Sequence, residues 1–322
     1  MRYLLLLLVL TTGVTAQDRY LQRSATHHSA AEFQSITRGR VTIHRAARDG
    51  EYRAIENGVI RELPGGRIET VPTAGVLPVT PVTVVRRADD QTLYLGTGRG
   101  LIRYSTARGE IPIRYLAGRR WLADDRVVGI GLGERNAATG ENEVWIETPA
   151  GFTRLREKLM TLAEKARLFE DRIRQRHLRH GMTSDSRLTN PGDLSSNRTV
   201  SSDNDGLWTA IYVAAESFRY SVTGEAEARD FARQGMQALL RLVEISGNPG
   251  FPARSFIRKG EDIQPTDGEW HDTPDGLWRW KGDTSSDEIA GHYFVYPIYY
   301  DLVANEAEKV TLRKVVSEIT DH

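Results

Sequence analysis

Lys281–Asp301 reads KGDTSSDEIAGHYFVYPIYYD, a polar approach carrying Asp283, Asp287 and Glu288 that runs into an apolar, aromatic-rich segment. Residues 201–220, SSDNDGLWTAIYVAAESFRY, do the same with Asp203 and Asp205. The apolar residues recur at helical spacing. Shifting the sequence by 81 residues pairs Tyr212 with Tyr293, Phe218 with Tyr299 and Val222 with Val303, and pairs Gly224-Glu225 with Asn305-Glu306. Each copy predicts a buried helix, a tight turn and an amphipathic helix; the first outer helix is expected over about 225–245, through Ala228, Phe231, Leu239 and Val243. The inner helix at 206–222 is apolar almost all round, which predicts burial between neighbours, and Pro297 is expected to kink its counterpart. A ring of such αα-hairpins is an α/α toroid.

Upstream, Leu162, Ala166, Phe169, Ile173 and His177 share one helix face, Arg172–Arg179 reads as a solvated basic face, and 181–202 reads as a long polar loop. Residues 41–155 are short β-prone segments and turns. Tyr52–Leu63, Leu93–Tyr104 and Val144–Leu155 resemble one another: a β-prone start, a turn ending in Gly58, Gly100 or Gly151, then a second strand. Glycine there suits a hairpin turn that needs positive φ. Repeats at about this spacing indicate propeller blades, but a closed propeller needs at least about four, so a partial one is expected.

The ends and the composition set the class. Met1-Arg2, the Leu-rich run Tyr3–Leu10 and Val14-Thr15-Ala16 read as an export signal over 1–16, followed by a structureless polar leader over 17–40. The product is expected to be periplasmic or secreted. There is no cysteine, so disulfides, thiol chemistry and Cys-ligated zinc are excluded. The 43 basic and 43 acidic residues are interspersed, which points away from nucleic acid and anionic membranes. No segment is expected to span a membrane.

Six phrases then carry a family resemblance: MTLAEKA (160–166), RHGMTSDSRL (179–188), PGDLSS (191–196), SDNDGLWTAIY (202–212), PGFPARS (249–255) and GDTSSDEIAGHYF (282–294). They resemble a family of secreted bacterial proteins of poorly known function that join propeller repeats to an α/α toroid. Tyr94–Tyr104 and Trp121–Val127 resemble two-component-regulator propeller repeats and the link between their blades. The toroid resembles six-hairpin glycosidases such as the unsaturated glucuronyl hydrolases, a likeness of fold that does not give function. The resemblance implies a mixed, β-then-α chain: a partial propeller-like region at 41–155 and an incomplete toroid at 156–322. On this reading the chain is C-terminally truncated, or a partner chain completes the ring.

In such a toroid the acids leading the inner helices converge on a cleft. Glycoside cleavage needs one carboxyl as proton donor and another as base or nucleophile. Asp287 and Asp205 are the expected pair, assisted by Glu288, Asp283 and His292. Asp203, Trp208, Arg254, Trp270, Trp280 and Tyr293 are expected to hold the sugar by stacking and polar contacts. The ordinary alternative is capping: Ser285 to Glu288 fits the S-x-x-E capping box, and Asp203 or Asp205 could cap the first inner helix. His292 could equally be a satisfied buried histidine, and Trp208 and Tyr293 core residues. SDNDG fails as an EF-hand loop, because Ser201 and Tyr212 fall at positions 1 and 12. His177 and His180 have no acid cluster nearby in sequence, so no metal and no cofactor is expected. The expected partner is an oligo- or polysaccharide, and the expected activity is glycosidase-like hydrolysis, with a lyase less favoured. Binding or periplasmic sensing without turnover, and a scaffold role, stand beside it.

Overall fold

The computed structural model describes residues 20–72, 75–107, 111–134, 136, 142–190 and 192–322. The export signal read at 1–16 lies outside them. The chain is mixed, mostly strands first and helices after. The described residues divide into two compact units, those up to 167 with those of 190–194, and 168–189 with 195–322.

The first unit opens with β1 (Tyr20–His28), α1 (Ala30–Thr37) and β2 (Ile43–His44). Strands β3 (Arg48–Asp49), β4 (Tyr52–Ile55), β5 (Gly58–Glu62) and β6 (Ile68–Thr70) form one antiparallel sheet, in sequence order. Strands β7 (Val82–Arg87), β8 (Thr92–Thr97), β9 (Gly100–Ser105) and β10 (Ile113–Leu116) form a second. The third runs β1-β13-β12-β11-β2, with β11 (Gly129–Leu132), β12 (Asn142–Thr148) and β13 (Gly151–Met160). Each of the three repeats read from the sequence is the hairpin at the centre of one sheet. Gly100 and Gly151 turn at positive φ, 143° and 125°. Added side chains there would meet Tyr115 and the His28 carbonyl. No closed ring of sheets is present among the described residues. The WLADDRV link buries Leu122 and Val127, and Asp124 and Asp125 bind the backbone amides of Arg126 and Gly118.

The expected structureless leader is corrected from Tyr20 onward. Tyr20–His28 is a nine-residue strand fully registered on β13. Its partner lies well over 100 residues away, and Arg23 reaches the buried Glu157. The strand is made by pairing, not by local pattern.

The second unit begins within α2 (Leu162–Arg176) and continues through β14 (Leu178–Arg179), β15 (Met182–Thr183), β16 (Asp185–Leu188) and β17 (Asn197–Val200). The predicted polar loop thus contains three short strands, β16 pairing with β17. Next come α3 (Asp205–Thr223), α4 (Ala226–Glu244), β18 (Ser255–Arg258), β19 (Trp270–Asp272), β20 (Trp278–Lys281), α5 (Ser286–Leu302) and α6 (Glu306–Asp321). Gly224 ends α3 in the left-handed conformation and donates to the Tyr220 carbonyl, the ordinary glycine stop. α3 packs on both α4 and α5, and the core between them holds Val213, Leu239, Leu242, Val295 and Tyr299. Both predicted αα-hairpins are present, and α5 runs unbroken through Pro297. Trp270 lies on β19, and Trp278 and Trp280 lie on β20.

On α2, Leu162 and Phe169 of the shared face are exposed, while Glu170 is buried as the acceptor of Tyr212 and Arg174. One burial expectation fails. On α3, Trp208, Ile211, Phe218 and Val222 are exposed along one face, because α4 and α5 cover only the other faces. The burial pattern from Gly206 along α3 returns from Glu288 along α5: Thr209 and Gly291, Ala210 and His292, and Val213 and Val295 are buried, whereas Trp208 and Ala290, and Ala215 and Pro297, are exposed. This structural repeat is one residue longer than the shift read from the sequence. It puts Glu288, not Asp287, opposite the buried start of α3.

Candidate functional site

The leading acids of α3 and α5 occupy different environments. Asp205 is the first residue of α3 and is completely buried. One carboxylate oxygen accepts from the Arg179 guanidinium at 2.8 Å and from Ser255 Oγ at 2.6 Å, and the other accepts from Ser202 Oγ at 2.9 Å. Burial pushes this carboxyl up, and Arg179, Ser255 and Ser202 pull it back. Arg179 also donates to Ser184 Oγ and to the Phe256 carbonyl. It is therefore a buried tie between β14, β18 and α3, not part of a solvated face. Asp205 does not cap: the N-cap residue is Asn204, with no side-chain bond to the helix.

Asp203 and Asp283 are exposed and joined through Arg254, which donates to both of their backbone carbonyls. Arg254 thereby ties together the segments leading α3 and α5. Lys281, at 2 % exposure, reaches the Asp203 carboxylate, the Asp267 carbonyl and Thr266 Oγ1. Asp283 sits in the left-handed region at φ 54° and accepts from the Glu269 amide at 3.0 Å. Gly268, at φ 133°, leaves room for this arrangement: a β-carbon there would lie 2.4 Å from Lys281 Cε and 2.8 Å from the Asp283 carboxylate.

The predicted capping box at α5 does not form. Ser285 is the N-cap residue but makes no side-chain cap bond. Glu288 turns inward against Gly206 at the start of α3, where an added β-carbon would lie 2.1 Å from its Oε2. Glu288 is 0 % exposed and neither oxygen has a well-formed hydrogen bond. Burial raises it to about 8, opposed by the Leu207 amide and the Arg254 charge and reinforced by Asp205 and Asp287. The glycine slot overrides the local capping pattern. One turn on, His292 is also completely buried, with Nδ1 2.6 Å from the Tyr296 hydroxyl. Burial lowers it to about 4. Asp287 is exposed on the first turn of α5.

The predicted sugar-stacking residues are dispersed. Trp208 and Tyr293 are exposed, at 45 % and 39 %, and Tyr293 reaches Thr320. Trp280 packs on His271, and Trp270 donates its indole N–H to the Thr266 carbonyl at 2.8 Å.

A polar cleft of about 390 Å³ lies beside the start of α3. Asp185, Asp203 and Asp267 line it with Arg187, and Ser201, Ser202, Thr266 and Gln264 supply hydroxyl and amide groups. A parallel bridge between Val200 and Gln264 sets its width, and Ser201 Oγ accepts from the Thr266 amide at 2.9 Å. Of the predicted site residues only Asp203 lines it; Trp270 and the buried Lys281 brace its wall at Thr266. Asp185, Arg187, Gln264 and Asp267 escaped the sequence reading. Among the described residues no group of three or more histidine and acidic side chains is placed to hold a metal ion. No helix among them is long and apolar enough to cross a membrane. Compared with known proteins, the chain matches no family model and no curated protein.

Proposed function

We propose that this chain is an exported carbohydrate-binding protein whose second unit holds an oligo- or polysaccharide in the cleft between β16, the start of α3 and residues 264–267. One observation carries the reading: the cleft is concave and lined by carboxylates, hydroxyls, an amide and a guanidinium. Sugar hydroxyls need such partners, donating to carboxylates and accepting from Arg187 and Gln264. Asp185 and Asp267 are exposed and available as acceptors. The three sheets of the first unit, each centred on one of the repeated hairpins, support its likeness to propeller blades. The two αα-hairpins support the likeness to a toroid.

Glycosidase-like hydrolysis is the second reading. It is favoured by Glu288, which keeps its proton at neutral pH, near the exposed acid Asp287. Against it, Asp205 is engaged on both oxygens, and the Glu288 side chain is closed off from solvent. Incubation of the full chain with a panel of oligosaccharides separates the two. Binding without release of reducing ends supports recognition. Reducing ends released by the wild type and abolished in Asp287→Asn support hydrolysis. Neither binding nor release refutes both.

A further inference from the structure

Five buried polar atoms at the start of α5 make no well-formed hydrogen bond among the described residues: Thr284 Oγ1, Ser285 Oγ, both carboxyl oxygens of Glu288, which the Leu207 amide nonetheless approaches, and His292 Nε2. Buried polar atoms are normally satisfied, and an ordered water or ion is one common partner where protein supplies none. Glu288 and His292 are four residues apart, so they lie on one face of α5, about 5–6 Å apart at Cβ. That face meets α3 very closely: a β-carbon on Gly291 would lie 2.9 Å from Leu207 Cα.

We propose that the α3–α5 crossing encloses bound water linking the Glu288 carboxyl to His292 Nε2, and that this wet joint stays closed only while Glu288 keeps its proton. Water fits the chemistry better than other guests. A neutral carboxyl offers one donor and acceptor capacity. With Nδ1 engaged by Tyr296, Nε2 is left for the guest in either tautomer. A water needs two to four such partners. An apolar guest would leave every one of these atoms unsatisfied. Two protein ligands fall short of the three or four that a bound zinc ion takes.

The charges around Glu288 explain the gating. Asp205 faces it from α3, Asp287 from its own helix and Arg254 from the segment before β18. Arg254 is already committed to the carbonyls of Asp203 and Asp283. A second negative charge beside Asp205 lacks a cation of its own, so ionisation draws more water into the crossing and loosens it. The segments carrying Asp203 and Asp283 loosen with it. This holds whatever the cleft binds.

The test is thermal melting of the full chain, followed at 222 nm, from pH 6.5 to 9, for wild type and Glu288→Gln, with and without EDTA. The raised carboxyl, at about 8, favours the folded state below its unfolded value, and this stabilisation is lost as pH rises toward 8. The wild-type midpoint is expected to fall by several degrees, whereas Glu288→Gln stays level, both unaffected by EDTA. A wild-type midpoint that stays level, or an equal fall in both proteins, overturns the proposal. A midpoint lowered by EDTA in wild type but not in Glu288→Gln overturns it in favour of a metal ion. Should Glu288→Gln not fold, a high-resolution crystal structure of the wild type at pH 6 decides: ordered water between Glu288 and His292 supports the joint, and a dry crossing refutes it.

Discussion

The Asp205 carboxylate and the Arg179 guanidinium meet at 2.8 Å, with 0 % and 6 % of the two side chains exposed. A carboxylate held this way, with Ser202 and Ser255 on its remaining positions, fixes the start of α3 onto β14 and β18. Removing one partner strands the other charge in the interior, which typically costs about 3–5 kcal/mol. Arg179→Met is expected to lower stability by that order in a urea titration, and Asp205→Asn by somewhat less because it keeps the shape. If Asp205 were instead an accessible catalytic base, Asp205→Asn would leave the unfolding midpoint almost unchanged.

His292 sets the acid limb of stability. Its folded value, about 4, lies below the ordinary histidine value of 6.5. The unfolded chain therefore takes up a proton as pH falls from 6.5 toward 4, while the native state does not, and stability falls over that window. Glu288 acts in the opposite sense between about 4.5 and 8. Where the two windows overlap, from about 4.5 to 6.5, the slopes cancel. Melting midpoints measured across pH 4 to 8 should show a plateau there, with a decline on both sides. His292→Gln, which keeps a polar side chain without the ring charge, should remove the acid decline and replace the plateau with a decline that begins near pH 4.5 and continues toward 8.

Gly291 is where α5 comes closest to α3. Alanine normally gains about 1 kcal/mol over glycine inside a helix. Here its β-carbon would sit 2.9 Å from Leu207 Cα and 3.1 Å from Leu207 Cδ1. The first contact is backbone, which cannot step aside, and overpacking costs about 1–3 kcal/mol. Gly291→Ala is therefore expected to destabilise on balance, read as a lower urea midpoint with an unchanged slope. A gain in stability would mean that the crossing is looser than described.

Much of the frame was legible because its signals are local. The three hairpins announce themselves through glycines and β-prone flanks, and α3 to α6 through helical spacing and the Gly224 stop. What escaped depends on distant partners. β1 has an unremarkable polar sequence and is a strand because β13 binds it. Ser285 to Glu288 satisfies every local rule for a capping box, yet the absent side chain of Gly206 gives Glu288 a buried slot instead. Arg179 reads as one more basic residue of a solvated stretch until Asp205 and Ser255 close around it. The cleft wall at Gln264–Asp267 is placed by a bridge to Val200, a pairing without periodicity to betray it. The acids leading the inner helices were found from sequence, but their division into a buried structural one (Asp205), a buried protonated one (Glu288) and exposed ones (Asp203, Asp283, Asp287) is set by packing.

The central claim is that the cleft beside α3 recognises carbohydrate, and a glycan array probed with the full chain tests it most directly. Asp267→Asn with Gln264→Ala is the informative variant, because both side chains are exposed and neither holds the fold together. Hydrogen bonds to charged groups contribute about 1.5–3 kcal/mol each, so losing one weakens binding by about tenfold or more. The account predicts that the wild type retains a defined set of oligosaccharides and that the double variant loses them at an unchanged melting midpoint. Retention of the same oligosaccharides by the double variant, or no retention by the wild type, would contradict it.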